Sequence, residues 1–296
     1  MSSGESPDSG KFFTQLKQKA VSNKSSILKF ALGLIISILW LLPLLGVVVA
    51  SFRPYGEIYQ GWWVIEEFTL TLENFVNAWT HPTGPMKYAI PNSLLVTVPS
   101  TIVTVTLGAM IAYPLARFKF IGRKALFFVI ILIMAAPAEV IMMTNYRTFL
   151  ELGMLDTYIG LMLLHATWGI GWVVLFFRNY MLSIPIELEE AARIDGASRF
   201  EIFKSVILPL SGPAIVSVAV IQFTWIWNGA FFPMVVMRST EKILAPQALP
   251  RILGREIIQW GDLAAASLMT MAVPVILYIF LQRYYKKGLT GGAIEK

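Results

Sequence analysis

Six long stretches of this chain are almost free of charge, and that feature limits what it can fold into. They are Phe30–Phe52, Ser93–Ala116, Ala125–Met143, Tyr158–Phe177, Pro213–Met237 and Leu263–Leu281, and across their 130 residues the one formally charged side chain is Glu139. Each run approaches the ~20 apolar residues that a helix needs to cross roughly 30 Å of hydrocarbon. Strands of a membrane barrel would alternate polar and apolar positions over about 10 residues, whereas these runs are apolar on every face. Charged residues make up 14% of the 296, against about 25% in a soluble domain, so too little charge remains to cover a water-exposed globule. The expected fold class is an all-α polytopic membrane protein with six transmembrane helices.

Orientation follows from the basic residues, which accumulate in cytoplasmic loops. Numbered from the amino terminus, the odd non-membrane segments hold 17 of the 24 lysines and arginines and the even ones 7. Both termini are therefore expected in the cytoplasm. This gives a cytoplasmic segment 1–29, a transmembrane domain 30–285 with a cytoplasmic loop 178–212 and an external loop 238–262, and a cytoplasmic tail 286–296. The external loop breaks the count with Arg238, Lys242, Arg251 and Arg255, charges read as serving contacts rather than topology. The basic region of about 29 residues and the apolar run of 23 that open the chain exceed those of a signal peptide, so a retained first helix is expected. The Ser/Gly/Pro-rich Met1–Gly10 is read as disordered.

Composition removes several kinds of chemistry. Without cysteine there are no disulfides, thiolate metal sites or cysteine nucleophiles. With His81 and His165 as the two histidines, a histidine-rich metal centre is excluded as well. No Gly-x4-Gly-Lys-Ser/Thr phosphate cradle occurs, and no Ser–His–Asp set or close carboxylate pair suggests hydrolysis, so the chain is read as non-catalytic and without a cofactor. An ion-coupled carrier is the alternative class, but such carriers bind the coupling ion on carboxylates in mid-membrane. Glu139 lies near the external end of its run, within reach of the interface, and His165 reads as a hydrogen-bonded packing residue. If the chain drives transport, the energy has to come from a partner.

Arg178–Gly212 reverses the pattern, with nine of the chain's 42 charged residues in 35 positions. Ser183 is read as capping a helix whose first turn holds Pro185 and whose acids, Glu187, Glu189 and Glu190, complement the positive end of its dipole. Gly196 can end it in a left-handed turn. Ser198 and Glu201 have capping-box spacing for a second helix, with an apolar stripe of Phe200, Phe203, Ile207 and Leu210 that Leu208-Pro209 ends or kinks. A loop that merely connects needs neither caps nor a stripe. The polar face, four basic against five acidic residues, suits a protein partner better than lipid headgroups.

At these residues a resemblance becomes specific. Glu190-Ala191-Ala192, three residues, Gly196, nine residues, Val206, one residue, Leu208-Pro209 resembles the EAA loop of binding-protein-dependent ABC importer permeases, with Val206 where the family usually has isoleucine. Asn92-Ser93-Leu94, Ala112-Tyr113-Pro114-Leu115-Ala116-Arg117, Gly122-Arg123, Pro185-Ile186-Glu187-Leu188, Ile194-Asp195-Gly196-Ala197-Ser198 and Lys287-Gly288-Leu289-Thr290-Gly291-Gly292-Ala293 resemble the carbohydrate-transporting branch, and within it the G-type subunit of maltose permeases. The resemblance implies the type I importer permease fold. It implies a coupling helix seated in a cytoplasmic ATPase, carried by Glu190, Ala191, Ala192, Asp195, Gly196 and Ala197, with Glu190 meeting the ATPase and Leu208 and Pro209 leading the chain back to the fifth span. The implied partners are a homologous second permease, two ATP-binding cassette subunits that bind ATP and Mg, an external solute-binding protein and membrane lipid, with no nucleic acid. The implied location is the plasma membrane, the inner membrane in a Gram-negative source.

The solute is not legible in the residues. Sugar sites combine aromatic faces with amides and hydroxyls, so Trp168, Trp172, Trp225, Trp227 and Asn228 are candidates by type for a translocation pathway. Packing or an aromatic belt at the membrane interface is the competing assignment.

Overall fold

A computed structural model describes residues 9–64, 68–253 and 258–290, with side chains over 27–64, 68–253 and 258–282. The expectations placed on the first eight residues, on Arg255 and on the tail beyond Thr290 lie outside these. Among the described residues the regular elements are helical: α1 Ser9–Ser51, α2 Tyr55–Ile58, α3 Glu73–Thr80, α4 Met86–Arg117, α5 Arg123–Ala135, α6 Ala138–Glu151, α7 Tyr158–Ser183, α8 Glu187–Ile194, α9 Arg199–Ile202, a π turn Phe203–Ile207, α10 Leu208–Leu210, α11 Gly212–Asn228, α12 Phe231–Val236, a 3-10 turn Thr240–Lys242, α13 Ala245–Leu253 and α14 Trp260–Thr290.

Among the described residues, four helical stretches are long and apolar enough to cross a membrane: Ile27–Ser51, Met86–Arg117, Tyr158–Ser183 and Trp260–Gln282. The remaining two runs pass only as bent pairs. The third is not one straight helix, because α5 and α6 meet at 95°. Ala136 is extended with ψ 135 and Pro137 precedes the second helix, as expected when a proline removes an amide donor and pushes its predecessor out of helical geometry. The fifth run is helical as α11 only to Asn228, with α12 resuming at Phe231, and α11 is joined at 75° to Arg199–Leu210.

The buried core runs along α4, α7, α11 and α14. At one end Val105–Ala116 of α4 and Val173–Met181 of α7 share a cluster with Ile202, Phe203, Ile207, Ala214 and Val218. At the other, Met86, Phe223, Trp227, Ala245, Ala265 and Ala266 form a second cluster, and Val96, Leu161, Phe232 and Leu244 belong to a third. The outward faces of α1, α5 and α14 are apolar and exposed, including Ile35, Trp40, Leu45, Leu132, Ile279 and Phe280. An apolar surface of that extent needs hydrocarbon or another protein against it.

Candidate functional site

The two-helix knob between α7 and α11 is built from local signals, with one correction. Ser183 does not cap α8. α7 runs past the uncharged stretch to include Ser183, whose hydroxyl donates to the Tyr180 carbonyl at 2.7 Å. Ile184 is then extended, and α8 starts at Glu187 behind Ile186 with no side-chain cap. The acids in its first turn are those expected, Glu187, Glu189 and Glu190.

The end of α8 is a Schellman turn. The Ala197 amide donates to the Ala192 carbonyl at 3.0 Å and the Gly196 amide to the Arg193 carbonyl at 3.1 Å, around Gly196 at φ +88. Ala192 and Ala197, the two positions whose side chains meet in such a motif, both pack on the buried cluster. α9 opens with the expected capping box: the Glu201 amide donates to the Ser198 hydroxyl and the Ser198 amide to the Glu201 carboxylate at 2.7 Å.

The apolar stripe of the second helix differs from expectation. Phe203 and Ile207 are buried with Ile202, whereas Phe200 is 64% exposed and Leu210 is also exposed. Leu210 follows the π turn, closed by the Leu208 amide on the Phe203 carbonyl, and one extra residue in a turn rotates every later position about the helix axis. Phe200 precedes the turn, and its exposure has another origin.

Two neighbouring glutamates on α8 point in opposite senses. Glu190 is exposed, with Ala191, Asp195 and Gly196. Glu189 is 1% exposed and holds two partners: its Oε1 accepts from Arg117 Nε at 2.5 Å and its Oε2 from the Tyr113 hydroxyl at 3.2 Å. Arg117 also donates from Nη2 to the Ile184 carbonyl at 2.7 Å, and the Tyr113 ring lies 5.2 Å from that of Phe203. The last turns of α4 and α7, α8 and the π turn therefore converge on one buried carboxylate. Sequence reasoning used Glu189 only as a first-turn acid; the signal it left unused was Arg117 closing an otherwise apolar helix.

A second feature lies between α6, α7, α11 and α12. A cavity of about 230 Å³ is lined by Glu139, His165, Trp168, Gln222 and Trp225, among others. Trp172 lies beside it, 5.3 Å from Trp225 ring to ring, with its indole N–H donating to Gln222 Oε1 at 2.7 Å. The 95° break in the third run places Glu139 in the first turn of α6. His165 is buried against Phe232, 5.4 Å between ring centres, and its Nε2 has no hydrogen-bond partner among the described residues. Trp227 faces elsewhere: it is 1% exposed, stacks on Phe223 at 5.8 Å and donates to the Thr270 carbonyl at 3.0 Å. Asn228 is the exposed last residue of α11.

The profile of the family described as "binding-protein-dependent transport system inner membrane component" matches residues 104–291, which include the knob. The chain belongs to this family. The permease is 42% identical over 261 residues to a probable ABC transporter permease protein of Pyrococcus horikoshii, covering 88% of this chain and 95% of the relative. It is 34% identical to the arabinooligosaccharides transport system permease protein of Halalkalibacterium halodurans, covering 86% and 90%. Its fold matches a chain from the crystal structure of a bacterial ABC transporter involved in the import of the acidic polysaccharide alginate, with a TM-score of 0.74, 22% identity and coverage of 96% and 100%. The permease is thus a multi-pass membrane protein with the type I importer fold.

At the end of the permease opposite the knob, polar contacts that sequence reasoning missed hold the loops. Asp156, at φ +58, accepts from the Arg238 and Ser239 amides at 2.9 and 3.1 Å and from the Ser239 hydroxyl, and Lys242 Nζ donates to its carbonyl at 2.6 Å. Arg238 lies over the Tyr146 ring. Two of the four charges that break the basic-residue count thus fasten the loop to its own chain. The Asn92 amide donates to the Glu241 and Ile243 carbonyls at 2.8 and 3.0 Å and its oxygen accepts from Tyr158 at 2.8 Å. The buried Asn74 amide donates to the Ser51 and Arg53 carbonyls at 3.0 and 2.8 Å, satisfying the carboxyl-terminal end of α1.

Proposed function

We propose that this chain is one permease subunit of an ABC importer for a carbohydrate or related polyhydroxylated solute, moved by ATP hydrolysis in two ATPase subunits docked on the knob formed by 178–212. The observation that carries the coupling role is the outward face of the knob. Glu190 is exposed on α8 one turn before Ile194, 86% accessible, and α9 exposes Phe200, 64% accessible, on helices whose turn is held by Gly196 and by Ala192 and Ala197 against the core. Exposed large apolar side chains beside charged ones on short, capped helices suit a protein-docking surface. Leu208 and Pro209 then carry the chain into the 75° bend to α11, so movement of the knob would carry spans with it as a body.

With 17 of 24 basic residues on that side, the knob and both termini are assigned to the cytoplasm of a plasma membrane. The exposed apolar face of α1 is offered to lipid and to a homologous second permease. The loop 238–262, fastened at Asp156, would meet the external solute-binding protein. ATP and Mg would reside on the ATPases.

The solute class rests on the named transport roles of the relatives and on the cavity. Trp168 and Trp225 supply aromatic faces, while Gln222, His165 and Glu139 supply polar groups suited to hydroxyls. Trp227 and Asn228 do not line this cavity, so the proposed pathway takes Gln222, His165 and Glu139 beside Trp168 and Trp225.

Uptake into proteoliposomes by the complete importer tests the reading. Transport should require ATP and the binding protein, and Glu190→Ala or Gly196→Pro should lower recovery of the ATPase with the inserted permease. ATP-independent, ion-driven uptake by this chain alone would sink the proposal.

A further inference from the structure

We propose that Glu189 and Arg117 form a positioning latch, through which displacement of the knob is passed to the second and fourth spans. The proposal rests on the reading that the knob docks an ATPase, and it assigns the inner glutamate a role separate from that of Glu190. Adjacent residues on a helix point about 100° apart, so α8 can present Glu190 outward while Glu189 reaches into the bundle. Its carboxylate is 1% exposed and the Arg117 side chain 9%. A charge pair removed from water is costly to form, and an apolar pair would serve packing alone just as well.

The geometry shows what the charge adds. Arg117 is the last residue of α4 and bonds two elements at once, Glu189 on α8 through Nε and the Ile184 carbonyl at the end of α7 through Nη2. Tyr113, one turn earlier on α4, donates to the other carboxylate oxygen and packs on Phe203 of the π turn. Apolar contacts can slide as helices shift, whereas a directional charge-assisted bond on a planar guanidinium keeps one orientation. The knob is thus tied to α4 and α7 by bonds that resist sliding, and α7 carries His165 and Trp168 of the cavity.

The experiment uses the complete importer in proteoliposomes, comparing Glu189→Gln, Arg117→Gln, the double variant and Glu190→Ala. Two quantities are read: ATPase recovered with the permease, and solute transported per ATP hydrolysed in the presence of the binding protein. For Glu189→Gln and Arg117→Gln the expected result is ATPase recovery and basal hydrolysis as in the parent, with transport per ATP at least tenfold lower. The double variant should be no worse than the poorer single, because each removes the same contact. Unchanged transport per ATP in either single variant, or losses that multiply, overturns the latch. So does loss of ATPase recovery in Glu189→Gln, which would place that residue in docking. Failure of the docking reading is separate: Glu190→Ala would then leave both recovery and transport intact. If Glu189→Gln does not fold and insert into the membrane, Arg117→Lys decides the matter, since it keeps the charge but has no fork to bond Glu189 and Ile184 together. Transport per ATP should fall there too, and a parental ratio overturns the proposal.

Discussion

Glycine stands at 196 and at 169 for different reasons, and substitutions should separate them. At Gly196 the backbone has φ +88 and an added Cβ would meet nothing within 4 Å, so Gly196→Ala carries only the left-handed strain, roughly 1–2 kcal/mol. It should lower the thermal midpoint of the assembled importer slightly and leave transport within twofold of the parent. Proline there is a different perturbation, since its ring fixes φ near −65°. At Gly169 a Cβ would lie 2.2 Å from Gln222 Nε2, displacing the amide that accepts the Trp172 indole bond. Gly169→Ala should therefore reduce uptake at least tenfold with ATPase recovery unchanged. Uptake and co-purification measured on the same preparations check both outcomes.

At the scale of elements, the bend between α5 and α6 and the join between α8 and α4 depend on single residues. Pro137→Ala restores an amide donor at a 95° break and should straighten the pair. The absence of native cysteine allows spin labels at Phe128 and Arg147 to report this as a lengthened distance; an unchanged distance would mean that packing, not proline, sets the bend. At the join, Arg117→Met leaves the Glu189 carboxylate buried without its cation, which costs about 3–5 kcal/mol, whereas replacing both members of a buried pair by methionine is often close to neutral. Thermal unfolding of the purified permease should rank the single variant well below the double. Gly196 and the Ser198–Glu201 box were legible because turns and caps are set by neighbours in sequence. The π turn was not, because the 3.6-residue period of Phe200, Phe203, Ile207 and Leu210 carries no sign of an inserted residue.

For the molecule as a whole, the end opposite the knob is held by Asp156, and its pH response has a definite sign. Burial raises that carboxyl, but the Ser239 hydroxyl and the amides of Arg238 and Ser239, with the Lys242 ammonium, outweigh it and hold it below the ordinary 3.8. A depressed carboxyl contributes stability that is complete above the unfolded value and lost as pH falls through the folded one. The loop should be insensitive between pH 5 and 8 by this group, loosen below about pH 4, and be loose at every pH in Asp156→Asn; mobility of a spin label at Glu241 measures this. Trp225 and Trp227 show where sequence reading stops. Two residues apart on a helix they face about 200° apart, and composition cannot say which meets the cavity and which meets Phe223 and Thr270. The same holds for Glu189 and Glu190, identical in type and adjacent. What the residues determined by themselves was the number of apolar runs, the glycine turn and the capping box, since solvent transfer and local backbone geometry depend on the chain alone. The tertiary structure decided which side chains face inward and where two of the loop's surplus charges go, since each depends on partners distant in the chain, 92 positions apart for Arg238 and Tyr146.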